Sequence, residues 1–163
     1  MNLALLYEKW DKIDLSMNAI NKAILINPYY SNSYIARGER RRKMGLYKEA
    51  ISDFSIAIML DSTNKISFNN RGLCKFYIKD YEEAIFDFEK ALSINLGESF
   101  VENFETDKYS YNNIANSYFG LGNINRACEY WRLALNKGYQ YKSEWKELYN
   151  IDDPKLLIEK YCK

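Results

Sequence analysis

The chain has 163 residues, 47% of them hydrophobic and 28% charged, with a formal net charge of +1. That excludes a disordered chain, leaves no global field to draw nucleic acid or an acidic membrane, and suits one domain with a continuous core. Histidine is absent, which removes the commonest general base and metal ligand, and Gly 7 with Pro 2 favours long helices over turn-rich β structure.

From the N-terminus, apolar spacing predicts helices at about 2–10 and 15–26. The opening Met1-Asn2-Leu3-Ala4-Leu5-Leu6-Tyr7-Glu8-Lys9-Trp10 has no basic leader, and its apolar run is too short for a secretory or membrane segment. A soluble, cytoplasmic protein is expected. Helix pairs follow at 31–44 with 47–60 and at 65–78 with 81–95. A shift of 34 residues superposes these pairs: Arg37 falls on Arg71, Gly38 on Gly72, Tyr47 on Tyr81, Ala50 on Ala84, Asp53 on Asp87, Phe54 on Phe88 and Ala57 on Ala91. Shifted back, Ala57 meets Ala23 and Ser62 meets Pro28. A further pair, 108–120 with 124–136, follows after nine extra residues. There Ala115, Trp131 and Ala134 take the places of Gly72, Phe88 and Ala91. The extra segment around 97–107 reads either as a loop or as added turns on the flanking helices. Helices at 141–149 and 153–161, with Trp145, Leu148, Leu156, Leu157, Ile158 and Tyr161, read as an amphipathic cap, the second opened by Asp153-Pro154.

Self-similarity at this period marks a repeat architecture of two-helix units. Gly38, Gly72 and Ala115 stand where the first helix of a pair (helix A) approaches the second (helix B), and Phe54, Phe88 and Trp131 fill the space between units. Gly45 and Gly122 fall in the A–B turn, where a helix C-terminus favours glycine. With these residues the chain resembles the tetratricopeptide repeat family over about residues 3–141. The resemblance implies an all-α superhelical solenoid of about four repeats (1–30, 31–64, 65–98 and 108–141), an insertion at 97–107 and a C-terminal cap at 142–163, all one domain. The first copy has Ser16 where Ala is expected, and the fourth ends in Gly138-Tyr139 rather than Pro. The closing stretch from Ala127 through Lys163 is similar to the last unit of small bacterial members, notably from Bacteroidetes.

The family binds ligands on the concave face lined by helix A. Carried onto this chain, that face takes Asn32, Ile35, Glu39 and Arg42 from the second unit, Ile66, Asn69, Leu73 and Phe76 from the third, and Tyr109, Asn112, Asn116 and Phe119 from the fourth. The set is apolar and amide. It reads as a neutral peptide groove centred on Asn69, Asn112 and Asn116, or as amides that only cap backbone and meet solvent. Family members that hold chaperone tails grip terminal carboxylates with basic residues and Asn. Here Ile35, Ile66 and Tyr109 fill the basic places, so that clamp is not expected.

Arg37, Arg40, Arg41, Arg42 and Lys43 form the one charge run. It reads as a salt-bridged or solvated face rather than a phosphate grip, with Glu39, Glu49 and Asp53 as neutralising acids. Cys74, Cys128 and Cys162 lack metal or redox spacing and read as reduced thiols in a helical core. Adjacent acids such as Glu82-Glu83 and Asp152-Asp153 diverge around a helix and form no catalytic dyad. The expectation is a scaffold for a protein or peptide partner, with no cofactor, no metal and no catalysis. The alternatives are homodimerisation through an open N-terminal end bearing Leu3, Leu5, Leu6 and Trp10, and, behind it, nucleic-acid binding through Arg40–Lys43.

Overall fold

The computed structural model describes residues 16–94, 102–143, 146 and 152–163. Within them the protein is helical, with no strand. Helix α1 is described over residues 16–26. It is followed by α2 (Ser31–Lys43), α3 (Tyr47–Leu60), α4 (Lys65–Tyr77), α5 (Tyr81–Ser93), α6 (Glu102–Gly120), α7 (Ile124–Asn136) and α8 (Pro154–Tyr161). The predicted helix at 2–10 lies outside the described residues, as do 144–145 and 147–149 of the helix predicted at 141–149, whose residues 141–143 are not helical. Leu3, Leu5, Leu6, Trp10, Trp145 and Leu148 also lie outside them. The insertion question is answered in part: α6 begins at Glu102, so the extra residues from there lengthen the A helix of the fourth repeat to 19 residues.

Local signals set the ends. The Asn64 side chain accepts from the Ser67 backbone N–H at 3.1 Å at the start of α4, and Asn123 accepts from Arg126 N at 3.2 Å at the start of α7. Asp153 accepts from Lys155 N at 2.9 Å, with Pro154 at the first helical position of α8, as its sequence predicts. The A–B turns carry left-handed residues at a constant register: Gly45 at φ 77°, Lys79 at φ 66° and Gly122 at φ 76°. Lysine adopts that conformation only at a cost, because its Cβ crowds the following carbonyl.

Helices of a pair pack on each other, α2 on α3, α4 on α5 and α6 on α7, and each B helix packs on the next A helix. The A helices also touch one another across repeats, α2 with α4 and α4 with α6. No comparable contact joins α3 to α5 or α5 to α7. The A helices therefore line the inside of the curve.

The core is a row of three small clusters rather than one large one. Ala50 and Phe54 of α3 meet Cys74 of α4. Ala84, Ile85 and Phe88 of α5 meet Ile114 of α6. Ala115 of α6 meets Ala127, Cys128 and Trp131 of α7, with Leu157, Ile158 and Cys162 closing the end. Two glycines are required by close approach. A Cβ on Gly38 would lie 2.8 Å from the Phe54 ring, and one on Gly72 would lie 2.9 Å from the Phe88 ring. Gly120, which sequence reasoning passed over, answers to the same constraint: a Cβ there would lie 2.6 Å from the Tyr81 ring. Its counterpart one repeat earlier is Tyr77, which stacks on Tyr47 at 5.0 Å. Tyrosine at the start of α3 and of α5 thus covers the end of the next A helix, by stacking in one case and by resting on bare backbone in the other.

The expectation of three reduced thiols is corrected. Cys128 and Cys162 form a disulfide, with Cα atoms 5.7 Å apart, while Cys74 is free and buried. Spacing in sequence gave no hint of this, because the pair is brought together only when α8 folds back on α7.

Replacing Lys79 by Gly should raise stability by about 1 kcal/mol through relief of the left-handed strain. Urea unfolding would check this, and a loss of stability would contradict it.

Candidate binding face

The inner face begins with the buried polar links that fix its A helices. Arg37 of α2 reaches Asp53 of α3 at 2.7 Å and Asn21 of α1 at 3.0 Å. One repeat on, Arg71 of α4 reaches Asp87 of α5 at 2.6 Å and Ser55 of α3 at 3.1 Å. Each aspartate is buried and takes a second cation one helical turn further along the A helix, Arg41 at 2.7 Å for Asp53 and Lys75 at 2.9 Å for Asp87. Each guanidinium also lies near the aromatic ring three residues earlier, Arg37 5.6 Å from the centre of Tyr34 and Arg71 5.7 Å from that of Phe68. In the fourth repeat Ile114 and Tyr130 occupy the arginine and aspartate places, and both join the apolar cluster around Ala84 and Phe88 instead.

This assigns most of the arginine run to the fold. Arg37 and Arg41 share Asp53, and Arg40 donates to Ser16 Oγ at 3.2 Å. Of the acids expected to neutralise the run, Asp53 does so. Glu49 contributes only its backbone carbonyl to Arg41, at 3.4 Å, and Glu39 instead accepts from Asn70 at 3.4 Å. Arg42 keeps a buried Nε without a hydrogen-bond partner among the described residues.

The twelve sequence-predicted face residues divide by what packing asks of them. Asn32, Ile66 and Tyr109 share one register, near the start of each repeat's A-helix segment, and are exposed, Ile66 to 53% and Tyr109 to 38%. Asn32 donates to Tyr30 Oη at 3.1 Å. Ile35, Leu73, Phe76 and Phe119 are partly buried against the three clusters. Glu39 and Arg42 are half-buried.

The amide centre predicted from sequence takes a different form. Asn69 accepts from Ser110 Oγ at 2.8 Å, tying α4 to α6 beside the Lys65–Asp107 ion pair. Asn116 accepts from the indole N–H of the buried Trp131 at 2.9 Å. Asn112 is only 1% exposed and donates to Tyr139 Oη at 3.2 Å, and its Oδ1 has no hydrogen-bond partner among the described residues. The chain after α7 covers it, because Gly138 turns the backbone with φ 83° and Tyr139 folds inward, edge-on to Tyr109 at 5.7 Å. Burial raises the Tyr139 phenol above its ordinary range, with the Tyr109 hydroxyl adding to it. The departure from Pro at Gly138-Tyr139 carried this signal in sequence, although its consequence, an inward tyrosine, did not follow from the pattern alone.

Among the described residues no group of three or more Cys, Asp or Glu is placed to hold a metal. Nor is any helix among them long and apolar enough to cross a membrane.

Comparison with known proteins agrees with this geometry. Two models of the tetratricopeptide repeat match the chain, one at residues 66–96 and the other at 1–30 and 109–136, together more than half its length. The chain belongs to the tetratricopeptide repeat family. Its backbone is similar to pilF of Pseudomonas aeruginosa, with a TM-score of 0.71 and 20% identity over 97% of this chain and 65% of that one. It is similar to YrrB, a repeat protein with an unusual peptide-binding site, with a TM-score of 0.61 and 21% identity over 74% and 57%. The first repeat domain of Spaghetti (RPAP3), bound to the HSP90 peptide SRMEEVD, gives a TM-score of 0.63 and 18% identity over 82% and 94%. No curated protein matches.

Asn116→Ala should cost about 1–3 kcal/mol, because it leaves the buried indole N–H of Trp131 unpaired. Thermal unfolding with Trp fluorescence would register the loss, and an unchanged midpoint would contradict the assignment of Asn116 to the core.

Proposed function

We propose that the protein is a non-catalytic scaffold that holds a peptide or protein segment along its inner face. The observation that carries this reading is the exposed register Asn32, Ile66 and Tyr109, presented on successive A helices whose other polar side chains are largely engaged in the fold. Spaced one repeat apart, an amide, an aliphatic and a phenol suit an extended segment with alternating contacts. The half-buried Glu39 and Arg42 add one charge of each sign beside it. The segment proposed is neutral, unlike SRMEEVD, because Ile35, Ile66 and Tyr109 stand where a carboxylate clamp needs cations. The repeat-bearing neighbours that bind peptides support the class of ligand and not its sequence. The repeat limits given above and a cytoplasmic location belong to the same reading, as does setting nucleic acid aside, since Arg37, Arg40 and Arg41 are spent on internal contacts.

A second reading, association of two copies, is favoured by one feature. Leu25, Ile26 and Tyr29 are exposed to 82%, 84% and 81% at the α1–α2 turn, an apolar cluster of the kind that pairing covers.

One set of variants tests both. A partner captured from the native organism and then made pure should lose at least about tenfold in affinity with Ile66→Asp and Tyr109→Ala, roughly 1.4 kcal/mol or more, while the helical circular dichroism is retained. Unchanged affinity would contradict the inner-face reading. Light scattering on Leu25→Ser with Ile26→Ser distinguishes the alternative, because only a dimer paired through that turn would become a monomer.

A further inference from the structure

The C-terminal helix is held by two very different means. Its apolar side, Leu157 and Ile158, packs on the cluster of Ala115, Ala127, Cys128 and Trp131, while Leu156 on its other side is exposed. Tyr161 rests on Phe119 with ring centres 5.1 Å apart, and Phe119 in turn rests on Trp131 at 5.5 Å. Arg132 donates to the Cys162 carbonyl at 3.2 Å. The covalent tie is the disulfide from Cys128 on α7 to Cys162 just past α8, across 34 residues of sequence. A helix of eight residues does not persist alone in water, so α8 depends on those few contacts and on that bond.

We propose that the Cys128–Cys162 disulfide is a redox latch that governs whether α8 stays over Phe119 and Trp131 at the end of the inner face. Phe119 is one of the inner-face residues, so a released α8 uncovers the C-terminal end of the groove. In this respect the latch rests on the groove reading given above. It rests as well on a cytoplasmic location, where disulfides are usually transient and redox-sensing. The step is thiol–disulfide exchange with a dithiol reductant. A reductant thiolate attacks Sγ of Cys162, which is more exposed than Cys128, giving a mixed disulfide and releasing the Cys128 thiolate. The second reductant thiol then displaces Cys162. Two electrons and two protons pass to the protein, two cysteine thiols form, and the reductant leaves as its disulfide. Cys74 takes no part. Its thiol is buried between α3 and α4, and burial pushes it up to about 12, so it stays protonated and unreactive.

Hydrogen exchange on the full chain, oxidised or treated with dithiothreitol, tests the latch without any ligand. Its failure is therefore distinct from failure of the groove reading. The oxidised protein should contain one free thiol and the reduced protein three. On reduction, amides in 154–161 should exchange up to several hundredfold faster, the limit set by the entropy of a loop of this length, while amides in α3 to α5 keep their rates. Cys162→Ser should exchange as the reduced protein does, with or without dithiothreitol. Equal protection of α8 in both states would overturn the proposal. So would three free thiols after oxidation, or a loss of protection throughout α3 to α5, since the bond would then be no latch.

Discussion

In each of the two central repeats an arginine of the A helix lies between two B helices. Arg71 is the clearer case, bound to the fully buried Asp87 of its own repeat and to Ser55 of the repeat before. Arg37 does the same with Asp53 and Asn21. The packing of the A helices depends on this link. Gly38 and Gly72 stand immediately after the two arginines, and their bare backbones admit Phe54 and Phe88, which stand immediately after the two aspartates. A shift in either helix would break the polar and apolar contacts together. The desolvation of a buried carboxylate is large, and it is offset here by two cations, by planar two-point hydrogen bonding from the guanidinium and by a ring beneath each guanidinium. In the fourth repeat the corresponding positions are Ile114 and Tyr130, both part of the apolar cluster around Phe88.

The class of the fold was legible because a two-helix repeat writes its packing into sequence several times. Gly38, Phe54 and their counterparts recur at one spacing, and the turn glycines Gly45 and Gly122 fall where helices end. The ionic links were half legible. Arg37 and Arg71 recurred at one register, and Asp53 and Asp87 at another, but periodicity does not say that the pairs meet. Lys79 in the left-handed conformation and Gly120 beneath Tyr81 were not legible, since each differs from its counterparts in the other repeats and takes its meaning from a neighbour in space.

The inner face was less legible than the fold for a related reason. Position on helix A tells which residues face inward, and that register does bring out Asn32, Ile66 and Tyr109. It does not tell which inward residues are consumed by contacts from outside the repeat. Asn116 is held by Trp131 of its own helix pair, while Asn112 is covered by Tyr139 and Phe119 by Tyr161, because the chain after α7 folds back over the last repeat. The disulfide follows from the same return of the chain. What lies open is therefore a strip at the start of each repeat's A-helix segment, while the end of the groove is closed by the cap.

The central claim is that the arginine–aspartate link holds repeats in register and that a packed apolar pair can replace it. Urea unfolding of Arg71→Ile, Asp87→Tyr and the two combined, which copies Ile114 and Tyr130 into the third repeat, tests it most directly. Asp87→Tyr leaves the guanidinium of Arg71 without its carboxylate and should cost about 3–5 kcal/mol, and Arg71→Ile, which leaves Asp87 with Lys75 at 2.9 Å, should cost less. The combined change should recover at least half of the summed loss, as Lys75 keeps Glu83 at 3.0 Å. A combined loss equal to the sum of the two single losses would contradict the account.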